Sequence, residues 1–117
     1  TATGQDDESM QAAIASARGQ IAVYASTPAA LPVLKCHGWE DLQVEANNMI
    51  RAGNWGGMND LVDDEILNTI AVVGTPTEIA QKIADRFKGR ADRISPVAYD
   101  PDVELLSTLC REIRAVV

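Results

Sequence analysis

The chain has few of the residues that mark several classes of protein. Its 117 residues include only two cysteines, Cys36 and Cys110, which are too few for a disulfide framework. No apolar stretch approaches the roughly 20 residues of a membrane-spanning helix, and no basic and apolar leader opens the sequence. These absences predict a cytoplasmic protein that does not associate with a membrane.

Basic residues are also scarce. Lys and Arg number 10 against 17 for Asp and Glu, which gives a formal net charge of -7. Such a surface repels the phosphates of nucleic acids, so we expect no nucleic-acid partner. Hydrophobic residues make up 46% of the chain, enough to form a core and to exclude intrinsic disorder. The length suits one domain, and is about half of what a complete (β/α)₈ barrel usually needs.

Helical periodicity dominates the first half of the chain. Apolar residues recur at steps of three and four from Asp6 to about Ala25, which predicts an amphipathic helix. The stripe consists of Met10, Ile14, Ala17, Ile21 and Tyr24. A short helical piece is expected between Pro28 and Gly38, and a longer helix from about Glu40 to Ala52 that Gly53 stops.

The strongest local signal is the start of a later helix. Thr75 and Glu78 have the spacing of a capping box, in which each side chain satisfies an otherwise unpaired amide, and Pro76 suits the first helical position. Apolar residues at helical spacing follow as far as Phe87, and Gly89 is expected to end the helix. Asp63 is expected to cap the preceding helical piece in the same way.

Two apolar segments flank this helix and predict short strands. Ala71–Val73 suits a buried parallel strand, and Ile94–Tyr99 a second one, although Pro96 cannot donate a ladder hydrogen bond. Asp100 and Pro101 are then expected to cap and begin a last helix. The resulting strand–helix–strand–helix order is that of a parallel sheet. Since two strands cannot form that sheet alone, we expect their partners to lie upstream.

Six ordered stretches resemble the luciferase-like monooxygenase superfamily, and most closely its actinobacterial deazaflavin-dependent oxidoreductases. They are residues 20–28 (QIAVYASTP), 37–42 (HGWEDL), 61–67 (LVDDEIL), 71–80 (AVVGTPTEIA), 92–95 (DRIS) and 99–102 (YDPD). The Gly-Thr-Pro-x-Glu motif alone is only moderately specific, because many capped helices use it. The ordered series covers nearly the whole chain and carries the resemblance.

The resemblance implies an α/β fold, in which residues 1–117 are a single segment from the C-terminal part of a (β/α)₈ TIM-type barrel, mostly helical with about two short parallel strands. Thr1–Gly4 would be the tail of an earlier strand, Ile70–Val73 the seventh strand and Ile94–Tyr99 the eighth. The parent would transfer hydride to or from a small organic substrate with deazaflavin coenzyme F-420, or alternatively FMN. The segment alone is expected to bind no cofactor and to be inactive, and the motifs carry over no catalytic residue.

Gly74 and Thr75 are the candidate cofactor-binding residues. They lie where the first predicted strand meets a helix N-terminus, a geometry that can bind phosphate through backbone amides. A simple helix cap is the preferred interpretation, because one glycine defines a cradle less well than a Gly-rich loop does. No metal site is expected, since Cys36 and His37 lack further ligands. Trp39 and Trp55 are interpreted as packing anchors rather than as cofactor platforms.

A small acidic helical module that binds another protein is the alternative interpretation of the whole chain. Composition and helix content fit it equally well, and only the predicted strand–helix–strand–helix order argues against it. For the barrel segment, apolar strand faces without partners predict self-association into a homo-oligomer.

Overall fold

A computed structural model describes residues 1–99 and 102–117 of the chain. Its α-helices are α1 (Asp7–Ala25), α2 (Leu31–Lys35), α3 (Glu40–Arg51), α4 (Asp64–Ile70), α5 (Pro76–Phe87) and α6 (Val103–Val116). Short 3₁₀ helices lie at Pro28–Ala30 and Met58–Leu61. The chain divides into two compact units, of which unit 1 contains Thr1–Ala17 and Ala71–Val117, and unit 2 contains Arg18–Ile70.

Unit 1 is held by an aliphatic core between α5 and α6. Ile79 and Ile83 on α5 are buried together with Leu109 and Ile113 on α6, and Val72 joins the same cluster. These positions recur at helical spacing on each helix, so one face of each is removed from water. Phe87, Ile94 and Val116 pack around the edge of the core.

The capping predictions for α4 and α5 are confirmed. The Thr75 hydroxyl accepts a hydrogen bond from the Glu78 amide, and the Glu78 carboxylate accepts one from the Thr75 amide. Asp63 Oδ1 accepts from the Ile66 amide at 2.8 Å. Both signals were readable because a capping side chain and the amide that it satisfies lie within three residues of each other.

Unit 2 contains the C-terminal part of α1 together with α2, α3 and α4, joined by turns and short 3₁₀ helices. Leu34, Leu42 and Met58 are buried in it, and Gly38 and Gly53 end α2 and α3 with positive φ angles of 74° and 72°. Of the stripe predicted for α1, Ala17 and Ile21 are buried, but Tyr24 is 63% exposed. Tyr24 was therefore wrongly placed in the core, because Ala22 and Ala25 form the buried face at that end of α1.

The two predicted strands do not form, and the fold prediction is wrong on this point. Among residues 1–99 and 102–117 the only recorded pairing is an isolated parallel bridge between Ala2 and Val73. Ile94–Tyr99 forms no strand; the Thr1 amino group and hydroxyl both donate to the Val97 carbonyl. A strand needs continuous partners on its edges, and Pro96 removes one donor from this segment.

The predicted start of the last helix at Asp100 and Pro101 lies outside the described residues. In the described part, Asp102 is the N-cap of α6, and its Oδ1 accepts from the Leu105 amide at 2.9 Å. The buried face of α6 carries Leu109 and Ile113. No helix of the described residues is both long enough and apolar enough to cross a membrane.

Candidate functional site

Gly74 and Thr75 lie between the isolated bridge at Val73 and the start of α5; the helix start was predicted correctly, but the strand predicted before it does not form. The Gly74 amide donates to the Ala2 carbonyl at 3.1 Å, and the Thr75 amide donates to Glu78 Oε2 at 2.8 Å. Lys82 Nζ donates to the Val73 carbonyl at 2.7 Å. Both amides that could cradle a phosphate are therefore already bonded within the chain.

The carboxylate of Glu78 also faces this turn. A hydrogen bond from the Thr75 backbone amide, and then the Thr75 side chain, lower the pKa of Glu78 from its ordinary value, so the group is charged at neutral pH. Gly74 has φ 151°, and a Cβ added there would lie 2.8 Å from Glu78 Oε2. The glycine thus allows the capping carboxylate to approach, and the geometry favours a helix cap over an anion site. The assignment of Gly74 and Thr75 to cofactor binding stays a prediction.

The other residues singled out from the sequence are dispersed on the surface of unit 2. Cys36 is exposed, and its thiol donates to the Pro32 carbonyl, one turn earlier in the chain. The His37 and Trp39 rings stack with centroids 4.4 Å apart. Trp55 is 58% exposed, so its interpretation as a packing anchor is wrong. Within the described residues no group of three or more His, Cys, Asp or Glu side chains could hold a metal ion.

A cavity of about 210 Å³, which no sequence pattern indicated, lies at the start of α1 in unit 1. We call it the α1 cavity. Its lining includes Gln5, Asp6 and Ser9 before and on the first turn of α1, and Asp102 and Leu105 at the start of α6. Residues nearly a hundred positions apart meet here, and no local pattern reports such a contact.

Asp6 and Ser9 close the first turn of α1 against each other. The Ser9 amide donates to Asp6 Oδ1 at 2.7 Å, while Ser9 Oγ accepts from the Gln5 and Asp6 amides at 2.9 and 3.1 Å. The backbone and side-chain hydrogen bonds from Ser9 lower the pKa of Asp6. The cavity therefore borders a charged carboxylate and a helix start whose amides are bonded within the chain.

Comparison with known proteins identifies the family. Residues 1–93 match the luciferase-like monooxygenases, and the chain belongs to that family. Uncharacterized proteins of Mycobacterium tuberculosis and Mycobacterium bovis are each 40% identical to it over 113 residues, which is 97% of this chain and 33% of theirs. The 5,10-methylenetetrahydromethanopterin reductase of Archaeoglobus fulgidus is 30% identical over 76 residues, 58% of this chain and 23% of that protein.

The family membership confirms the resemblance and implies part of a TIM barrel. The chain spans about a third of the length of the mycobacterial relatives, so it is too short to contain a whole barrel. No solved structure matches it significantly. The predicted strand–helix–strand–helix order, which argued against a helical interaction module, is absent from the described residues. The family match over residues 1–93 now favours the barrel segment over that module.

Proposed function

We propose that these residues form the C-terminal part of a cytoplasmic luciferase-like oxidoreductase that transfers hydride between deazaflavin coenzyme F-420 and a small organic substrate. The observation that carries the proposal is the family match over residues 1–93. The Archaeoglobus relative is named as a reductase, which supports redox chemistry. The choice of coenzyme F-420 over FMN rests on the resemblance to actinobacterial deazaflavin-dependent enzymes.

The same proposal implies that residues 1–117 have no activity on their own. The bridge at Ala2 and Val73 and the segment Ile94–Tyr99 are the parts of this chain that would become barrel strands when other strands lie beside them. At Gly74 and Thr75 the bonded amides and the charged Glu78 do not fit an anionic cofactor group. Cofactor contacts and catalytic groups are accordingly assigned to other parts of the barrel.

A chimera tests the proposal without assumptions about neighbouring sequence. Residues 1–117 replace the aligned third of the Mycobacterium tuberculosis relative, and coenzyme F-420 and FMN are titrated by fluorescence against three proteins. These are the relative, the chimera and the 117-residue chain, and circular dichroism verifies that each is folded.

We expect the relative and the chimera to bind coenzyme F-420 with similar affinity and the 117-residue chain to bind neither cofactor. Binding of FMN alone would select the alternative cofactor. Specific binding by the 117-residue chain would show that the cofactor contacts do lie within it. If the folded chimera and the relative bind neither cofactor, the oxidoreductase proposal fails.

A further inference from the structure

The backbone at Val73 has a second side, opposite its bridge to Ala2. The Ala2 amide donates to the Val72 carbonyl at 2.9 Å, and the Gly74 amide donates to the Ala2 carbonyl at 3.1 Å. In a trans peptide unit the carbonyl and the amide point in opposite directions, and no peptide bond of the described residues is cis. The Val73 amide and carbonyl therefore both point away from Ala2. We call these two groups the Val73 edge.

Lys82 occupies one half of the Val73 edge. Its Nζ donates to the Val73 carbonyl at 2.7 Å, and the residue is exposed on α5. The Val73 amide, in contrast, donates no hydrogen bond to a described residue. A neighbouring strand would need the same carbonyl as an acceptor, because the bonds of a sheet run between backbone groups. Lys82 thus holds the acceptor that such a strand would use, while the donor stays open.

An edge that carries a donor and an acceptor at one residue is complementary to itself. Two copies related by a twofold axis would place Val73 opposite Val73 in antiparallel strands, where the two residues can exchange both N–H···O bonds. The segment Ile94–Tyr99 of the same chain does not fill this place, since it forms no strand. A second copy of the chain is therefore the partner that the Val73 edge fits.

We propose that Lys82 guards the Val73 edge and keeps a second copy of the chain from pairing there. Natural proteins protect exposed strand edges with charged side chains, lysine above all. Two Lys82 bonds must break for each dimer, one in each copy, so the self-association predicted from the sequence should be weak at this edge. The proposal concerns association alone and does not depend on the proposed oxidoreductase activity.

Sedimentation velocity of the 117-residue chain at increasing concentration tests the guard. Lys82→Met keeps a long side chain on α5 but removes the donor and the charge. We expect its dimer to have a dissociation constant at least about tenfold lower than that of the unsubstituted chain, because two hydrogen bonds no longer oppose pairing. Lys82→Ala also lacks the donor and should associate in the same way. Lys82→Arg keeps a charged donor and should behave as the unsubstituted chain does.

Two control variants separate the guard from other effects of the substitution. Lys88→Met makes the same change of charge at an exposed residue, the C-cap of α5, and should leave association unaltered. Glu78→Gln weakens the cap of α5 but leaves Lys82 in place on the Val73 carbonyl. It should not increase association, so a loss of stability alone would not explain a dimer of Lys82→Met.

A double variant locates the contact. Val73→Pro removes the amide of the Val73 edge, whereas the bonds to Ala2 use the Val72 carbonyl and the Gly74 amide and are kept. Added to Lys82→Met, it should restore the association of the unsubstituted chain. Amide hydrogen exchange gives a second measurement, since the Val73 amide should become protected in the dimer of Lys82→Met alone. Circular dichroism verifies that each variant is folded.

Several results would overturn the proposal. They are equal association of Lys82→Met and the unsubstituted chain, equal association of Lys82→Met and either control, a dimer that persists with Val73→Pro, or a dimer in which the Val73 amide stays unprotected. If Lys82→Met does not fold, the comparison of Lys82→Ala with Lys82→Arg decides in its place, and equal association of these two would reject the guard.

Discussion

Unit 1 and unit 2 are stabilised by different kinds of contact. In unit 1, two helices with side-chain caps, α5 and α6, bury one continuous aliphatic cluster. In unit 2, α2 and α3 start without side-chain cap bonds, and polar side chains reach across to distant backbone carbonyls. Gln43 and Asn47 both donate to the Ser26 carbonyl, and Arg18 donates to the Val62 carbonyl.

The two units also differ in how far apart in the sequence the residues of these contacts lie. The caps and the apolar faces of α5 and α6 in unit 1 follow from helical spacing and from capping residues within one turn of their partners. The polar contacts just named in unit 2, with the Arg18–Asp64 ion pair, join residues 17 to 46 positions apart, so no short pattern reports them, whereas the Asp63 cap of α4 in the same unit is local. We therefore expect unit 1 to depend mainly on apolar burial, and polar substitutions in unit 2 to have smaller effects.

The largest effect is expected at the centre of the core of unit 1. Leu109 is fully buried between α5 and α6, and Leu109→Ala should lower the free energy of unfolding by about 2–5 kcal/mol through lost burial and a residual cavity. Urea denaturation measures the change. Val103→Ala, at a residue 80% exposed on the same helix, is the control and should stay within about 0.5 kcal/mol. Equal effects of the two would show that the cluster does not hold unit 1.

The same distinction explains which sequence predictions succeeded. The capping box at Thr75 and the buried residues of α5 and α6 were predictable because helix, cap and apolar face are encoded within a few residues. Ile94–Tyr99 was predicted as a strand from its composition, but a strand exists only when a partner supplies its hydrogen bonds. The pairing needed for that lies outside the local pattern.

The candidate site shows the same limit. The place of Gly74 and Thr75 at a helix start was predictable, but the use of their amides by Ala2 and Glu78 was not. Ala2 lies some seventy residues earlier in the chain, and its carbonyl reaches Gly74 only in the folded structure. The α1 cavity was missed for the same reason, since Asp6 and Asp102 meet only after folding.

An intermediate effect is expected at the capping box, and it should depend on pH. Because the folded pKa of Glu78 lies below its ordinary value of 4.5, this carboxylate stabilises the fold above about pH 4.5. That contribution is lost as the pH falls through the folded pKa. Glu78→Gln should therefore be less stable than the unsubstituted chain at pH 7, and the difference should shrink as the pH falls below 4.5.

Thermal unfolding followed by circular dichroism from pH 7 to pH 3 measures this difference. Thr75→Ser keeps both the hydroxyl and the backbone amide that bond Glu78, and serves as the control. Its stability should depend on pH in the same way as that of the unsubstituted chain. A difference in stability between Glu78→Gln and the unsubstituted chain that stays constant over this range would contradict the role of the charged carboxylate in the cap.

The smallest effect is expected at the ion pair of unit 2. Arg18 bonds the Asp64 carboxylate, whose side chain is 84% exposed, and water screens such a pair strongly. Asp64→Asn should lower the free energy of unfolding by only about 0.2–1 kcal/mol, and less in 1 M salt. Asp41→Asn removes an exposed acid from the first turn of α3 and reproduces the loss of a helix-dipole contact, so the difference between the two variants reports the ion pair. A loss as large as that of Leu109→Ala would reverse the comparison, because unit 2 would then depend on a polar contact as strongly as unit 1 depends on its core.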